Sequence, residues 1–233
     1  MGELAVTDTS LTESTPWQPA TFPADPAAAQ QLREWLDDMS YSLYGIEHDF
    51  RGARLANGDF SGAWLIDAVL AGVELASASF YRADLSGADL TGANLVGADL
   101  VRAKLDGAVL RAARLDGADM VNSSLHGVDA SRASFRGTRI MGASLFRFDL
   151  RGADLTDAVL AHNTFKVIVD DDTVVRGLTG TAFGPVTVVD GEGSREVGGA
   201  DLEAWFGARG AAVQVVPPRR PARQVHIEGK DPV

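Results

Sequence analysis

The sequence predicts an all-β solenoid, a narrow β-helix over residues 46–167, and three observations predict it. An apolar residue stands at every multiple of five from Phe50 to Phe165, in 24 repeats without an insertion: sixteen leucines, five phenylalanines, Met120, Ala130 and Ile140. Two residues before these positions, 16 of the 24 sites are alanine; two residues after, 12 are glycine. Repetition this regular sets the architecture before local propensity is consulted.

A period of five suits neither regular element. On an α-helix five residues rotate about 500°, so successive leucines spiral around the axis. On a straight strand an odd spacing sends alternate leucines to opposite faces. All of them, including the core repeat residues Leu85, Leu90, Leu95 and Leu100, point inward only if the chain turns a corner once per repeat. Glycine after the leucine supplies the positive φ of a tight corner. Alanine before it also points inward and must be small because the tube is narrow. Asp, Asn, Arg and Lys favour the outward position between them, as at Asp84, Asn94, Lys104 and Arg114.

Residues 83–107 read ADLSG ADLTG ANLVG ADLVR AKLDG. They resemble the pentapeptide-repeat family, whose motif is A-(D/N)-L-X-X, and the resemblance covers 120 of the 233 residues. It implies a right-handed quadrilateral β-helix with four pentapeptides per coil, hence about six coils and a rod of about 29 Å at ~4.8 Å per strand spacing. Columns are then read at intervals of 20. One inner column runs Phe50, Leu70, Leu90, Leu110, Ala130, Leu150, and the bulky Phe148, where alanine is usual, lies one coil beyond the small Ala130. Phe148 either fills the space that Ala130 leaves or bulges the wall.

The flanks differ in character. Residues 1–23 are polar and are expected to be a disordered N-terminal segment. Asp25 followed by Pro26 is an N-cap before a first-turn proline. Leu32, Trp35, Leu36 and Met39 follow at helical spacing, which predicts an amphipathic helix over 26–40 within a capping segment 24–45. A solenoid exposes its apolar interior at each end, and this helix is expected to cover the first coil near Phe50; a helix for binding a partner is the other reading. The repeat ends after Phe165. Val167–Val169, Thr173–Val175, Val186–Val189 and Ala212–Val216 read as short strands and residues 200–209 as a helix with Leu202, Trp205 and Phe206 on one side. This predicts a small α+β C-terminal extension over 168–218, with a hairpin turn at Gly177–Thr181. The Pro-bearing, basic stretch 219–233 is expected to be a mobile tail.

Composition excludes much. The chain has no cysteine, hence no disulfide framework, thiolate metal site or cysteine nucleophile. No apolar run approaches the ~20 residues of a membrane span, and the start MGELAVTDTS is not a signal peptide; Val6 stands where a myristoylation motif needs Ser or Thr. A cytoplasmic location without membrane attachment is expected. The net charge is −11, with −6 in residues 1–45, −2 in 46–167 and −3 in 168–233. An acidic chain without a basic stripe argues against direct nucleic-acid binding.

Chemistry is scarce. The histidines His48, His126, His162 and His226 do not pair at ligand spacing. Asp170, Asp171 and Asp172 either bind a divalent cation, as clustered carboxylates do, or form an acidic turn. Gly177–Thr181 lacks the lysine of a phosphate-binding loop, and no serine sits in a nucleophile elbow. No cofactor and no catalytic activity are expected. The outward column after the leucine carries Tyr81, Val101, Val121 and Met141 in line, a candidate interface; it is covered by the chain's own flanks or by a protein partner, including a second copy. The chain reads as a non-catalytic scaffold or adaptor. The family implies an alternative: DNA mimics that bind type II topoisomerase and protect it from quinolones or toxins. That role rests on a strongly acidic rod, from which this near-neutral segment departs. A ligand-binding or enzymatic module in the C-terminal extension is a second alternative and requires a pocket near Asp170–Asp172.

Overall fold

The computed structural model describes residues 17–216, save the side chain of Phe165. Its centre is a parallel ladder in which each residue pairs with the one twenty positions on, from Tyr44↔Trp64 and Asp49↔Val69 to Ser134↔Asp154. Twenty residues per turn is four repeats per coil, so the chain forms a right-handed, four-sided β-helix. Every multiple of five from Phe50 to Leu160 is buried, as are the alanines that precede them.

The corner geometry does not depend on glycine. All positions two after the inward residue, from Gly52 to His162, have positive φ, whether glycine or not: Arg82, Arg102 and Arg132 at 59°, Ala112 at 53°. The ladder imposes the left-handed conformation, and side chains that dislike it are carried along. L-residues there lose roughly 1 kcal/mol against glycine. Ala112→Gly is therefore expected to raise stability by about 1 kcal/mol, read from chemical denaturation; a loss of stability contradicts it. The outward Asp has a structural task as well. Asp49, Asp59, Asp89, Asp99, Asp129 and Asp154 each accept the backbone N–H of the corner residue two positions on, at 2.8–3.1 Å. This local bond is the physical reason for Asp and Asn in the repeat.

Polar residues that replace the inward alanine find partners at once. Thr138 donates to Leu115 O at 2.8 Å and Thr173 to Leu150 O at 3.0 Å. Asn163 donates to Ile140 O and accepts from Ala143 N, both at 2.8 Å. Phe148 is fully buried, edge-on to Phe135 at 5.9 Å. The ladder also shifts register beside it, between Phe146 and Phe148, where the interval drops to nineteen residues at Phe148↔Val167. Phe148 thus lies inside and disturbs the wall at the same time.

The first coil begins at Leu43 and Tyr44, inside the segment expected to be the cap. Helix α1 (Pro26–Asp37) is capped by Asp25, which accepts from Ala28 N at 2.7 Å, and it buries Ala28, Ala29, Leu32 and Trp35. Met39 lies beyond the helix and is exposed. The aromatic contact of the cap is Phe60: Trp35 stacks on it at 5.6 Å and Trp17 meets its edge at 5.5 Å. Residues 17–23, expected to be disordered, are built onto the rod through Trp17 and the antiparallel bridge Thr21↔Arg54; residues 1–16 of that segment lie outside the described residues.

The ladder does not end at 167. In strand order, β1 (Arg139–Met141), β3 (Val159–Ala161), β5 (Thr179–Phe183) and β8 (Ala212–Val216) form one parallel sheet. On the next side, β2 (Ser144–Asp149), β4 (Thr164–Asp170) and β6 (Val186–Asp190) are parallel, and β7 (Gly193–Val197) closes the sheet antiparallel to β6. Val167, Val169, Val175 and Leu178 fill the tube where leucine and alanine did before, so the coil persists after its spelling is lost. Gly177 is a coil corner with φ 70°, and Thr179 opens β5; the expected hairpin is absent. The rod therefore runs from Tyr44 to Phe183, about seven coils and ~34 Å at the strand spacing. Helix α2 (Gly199–Ala208) follows β7 and buries Leu202, Trp205 and Phe206. Arg209 fastens it, stacking over Trp205 at 4.1 Å and pairing with Asp171 at 2.9 Å.

Candidate interaction surface

The outward columns follow from the register. Tyr81, Val101, Val121 and Met141 stand one above the other on a single corner, between the side that holds β1 and the side that holds β2. Tyr81 is 36% exposed and the three below it are half-buried. No described segment of the chain lies across them. The expected own-chain cover is therefore absent among residues 17–216. Acids flank the column on one side, Asp99 and Asp119, and Arg82 and Arg102 on the other.

A larger apolar surface adjoins the top of this column. Tyr44 and Trp64 are bridge partners on adjacent coils and point outward, 55% and 51% exposed. The register places Tyr41 above Ser61 and Tyr81 in the corner column beside them, and Met39 and Tyr41 share a groove with Asp59 and Ser61. Five of the seven large exposed apolar residues among those described, Met39, Tyr41, Tyr44, Trp64 and Tyr81, thus gather at the N-terminal end of the rod. Sequence reading missed Tyr44 and Trp64. The signal was available in the column before the leucine, read at intervals of 20.

Six ion pairs lie along the rod. Arg51–Asp49 and Arg151–Asp149 meet at 2.6 Å, Arg136–Asp154 and Arg139–Asp119 at 2.8 Å, Lys104–Asp84 at 3.2 Å and Arg111–Asp129 at 3.3 Å. The hydrogen bonds from Arg51 hold the Asp49 carboxyl below its ordinary pKa. At Asp84 burial pushes upward, but hydrogen bonds from Ser86 and Lys104 prevail and leave it lowered.

The acidic run is absorbed by the fold. Asp170 accepts from Gly152 N and Thr173 Oγ1, both at 2.8 Å, and Asp171 binds Arg209. No cluster of three or more metal-ligating side chains occurs among the described residues. An open groove of about 490 Å³ does border Asp170 and Asp172; its walls are Arg111, Arg132 and Arg151 of the rod, not the C-terminal elements. His126 lies against Phe146 at 4.9 Å on the surface, His48 contacts Ile46 O at 2.7 Å, and His162 is a coil corner; His226 lies outside the described residues. Nothing brings them together. No helix is long and apolar enough to cross a membrane among the described residues.

Geometry and surface define the class: a parallel β-solenoid of five-residue repeats that presents ordered side-chain columns on four sides. The profile of pentapeptide repeats matches residues 68–107 and 103–140 in eight copies, so this part of the rod consists of pentapeptide repeats. Among solved structures the chain is similar to HetL, a pentapeptide repeat protein involved in heterocyst differentiation regulation from the cyanobacterium Nostoc sp. strain PCC 7120. The identity is 26% over 66% of this chain and 71% of HetL, with a TM-score of 0.58. A pentapeptide repeat protein of the Arabidopsis thaliana thylakoid lumen is 34% identical over 45% of this chain and 66% of its own, with a TM-score of 0.21. QnrB1, a plasmid-mediated fluoroquinolone resistance protein, is 20% identical over 60% of this chain and 69% of its own, with a TM-score of 0.31. Of these three, only the HetL superposition is close enough to bear on the fold. No curated protein matches the chain.

Proposed function

We propose that the protein is a non-catalytic interaction scaffold whose β-helix presents the aromatic surface of Tyr41, Tyr44, Trp64 and Tyr81 to a protein partner. One observation carries this reading: these aromatic residues are all exposed at the N-terminal end of a rigid ladder, Tyr44 and Trp64 on bridged neighbouring coils, although burial of each would be favourable at roughly 25 cal/mol per Å². Tyrosine and tryptophan on a preorganised surface are the residue types that anchor interfaces. Pentapeptide-repeat proteins are generally structural or interaction proteins, which supports the same reading.

The test is a comparison of the wild type with Tyr44→Asp/Trp64→Asp, both checked for folding by circular dichroism. Proteins retained by the immobilised wild type are identified and titrated against both forms. The double variant is expected to bind at least about thirtyfold more weakly, as loss of ~2 kcal/mol at an interface anchor implies. Equal affinity for both forms sinks the proposal.

Topoisomerase protection is not expected. Residues 46–167 carry 15 acids against 13 bases, a net −2, with arginines interspersed among the aspartates, so the rod lacks the continuous negative field that duplex mimicry needs. In a supercoiling assay with purified gyrase and a quinolone, the protein is expected to give no rescue. Clear rescue at sub-micromolar protein overturns this ranking.

A further inference from the structure

The open groove of about 490 Å³ beside Asp170 and Asp172 follows one corner of the rod, the corner after the inward column Phe50 to Leu150. The corner positions there, from Arg51 to Gly152, carry Arg51, Arg111, Arg132 and Arg151 and no acid. Between the arginines, Gly92, Ala112 and Gly152 keep the floor low. The groove occupies the lower half of this corner, where Arg111, Arg132 and Arg151 stand on three successive coils at ~4.8 Å steps.

The three guanidinium groups differ in how they are held. Arg151 is fixed: its Nε and Nη2 make three bonds of 2.6–3.1 Å to the Asp149 carboxylate, which leaves Nη1 to donate elsewhere. Arg111 meets Asp129 through a single contact of 3.3 Å. Arg132 joins no ion pair among the described residues. Its stem lies on Gly152, where an added Cβ would come within 3.3 Å of Cγ, so it leans toward the coil of Arg151. An unpaired guanidinium between two that still have N–H groups to spare suits a phosphoryl group, whose oxygens accept from several planar donors at once. The other end of the groove is acidic. Asp170 is taken up by Gly152 N and Thr173 Oγ1, but Asp172 is exposed and joins no ion pair among the described residues. The bridge Asp154↔Val174 sets Asp172 one coil beyond Gly152, hence two coil steps, ~10 Å, from Arg132. A carboxylate at that distance repels a second phosphate and accepts from hydroxyl groups.

We propose that this groove binds a phosphorylated sugar, with the phosphate held by Arg111, Arg132 and Arg151 and the sugar hydroxyls donating to Asp172. The site lies on the corner opposite Tyr81, so it is independent of the partner proposed above.

The test is a phosphorus NMR titration of the full chain with ribose 5-phosphate, glucose 6-phosphate and AMP, and with inorganic phosphate as the reference, all at one ionic strength. At least one phosphorylated sugar is expected to bind with Kd below about 1 mM and at least about tenfold more tightly than inorganic phosphate. Arg132→Gln is expected to weaken that ligand at least about tenfold, through loss of a charge-assisted bond. Arg102→Gln removes the same charge from a corner of the same φ, 59°, on another side of the rod, and is expected to leave the affinity within about twofold. Asp172→Ala is expected to weaken the sugar phosphate while inorganic phosphate binds as before or more tightly, a divergence that a diffuse positive patch does not produce. The proposal is overturned if no member of the panel binds below about 1 mM, if inorganic phosphate binds as tightly as the sugar phosphates, if the two arginine variants behave alike, or if Asp172→Ala tightens both kinds of ligand.

Discussion

Leu90→Ala is expected to destabilise the rod by about 2–5 kcal/mol, at the upper half of that range. Leu90 is fully buried, with Leu70 and Leu110 directly above and below it in the column. The loss has two parts, transfer of the missing methyl groups and the cavity that remains. In a globular core the surroundings relax into such a cavity. Here they cannot, because the wall on either side is fixed by a hydrogen bond at every coil, such as Leu90 N to Val109 O at 2.8 Å. The melting temperature should fall by roughly 7–20 °C at about 2–4 °C per kcal/mol. Thr91→Ala, one residue on and pointing outward, should fall by far less and serves as the control. Near-equal melting of the two variants would mean that the column is not a core.

Gly180→Ala is expected to be as damaging, for a different reason. Gly180 occupies an inward multiple of five, but lies in β5 between β3 and β8, with φ 118°. An added Cβ would overlap the Leu160 carbonyl oxygen, which is backbone and cannot swing aside. Strain and overpacking each contribute ~1–3 kcal/mol. The effect should be concentrated at the C-terminal end: amide exchange is expected to accelerate in β8 and α2, where Val213 and Leu202 are buried, while the coils around Leu90 keep their protection. Uniform loss along the rod, or unchanged exchange in β8, contradicts this.

The inward column was legible because burial admits few residue types, and leucine at a fixed spacing announces it. Phe148 in an alanine position likewise announced a disturbance. The C-terminal end was less legible. Val167, Val169 and Val175 fill the tube as leucine does, yet a register shift at Phe148 and a compensating residue in the acidic run Asp170–Asp172 break the spacing by one and restore it, so the pattern vanishes while the coil continues. Corners at Arg82, Arg102 and Ala112 left no mark in the sequence, since their conformation comes from neighbouring coils and not from their own preference. The aromatic surface was hidden for another reason. Tyr44 and Trp64 are separated by twenty residues, and Tyr44 precedes the first recognisable repeat; neither looks like part of a patch until the coil is wound.

Both ends of the ladder are closed by something that breaks its repetition. At one end α1 and the antiparallel bridge Thr21↔Arg54 lie across the first coil; at the other, β7 runs antiparallel to β6 and α2 packs beside β8. A bare parallel coil ends in a row of unpaired amides and carbonyls at the spacing of the next strand, and a second copy supplies the complementary row. Nothing in the twenty-residue register itself says where to stop. Without the residues that block its ends, the same rod would be the subunit of an open-ended filament, growing by one molecule of seven coils at a time along its own axis.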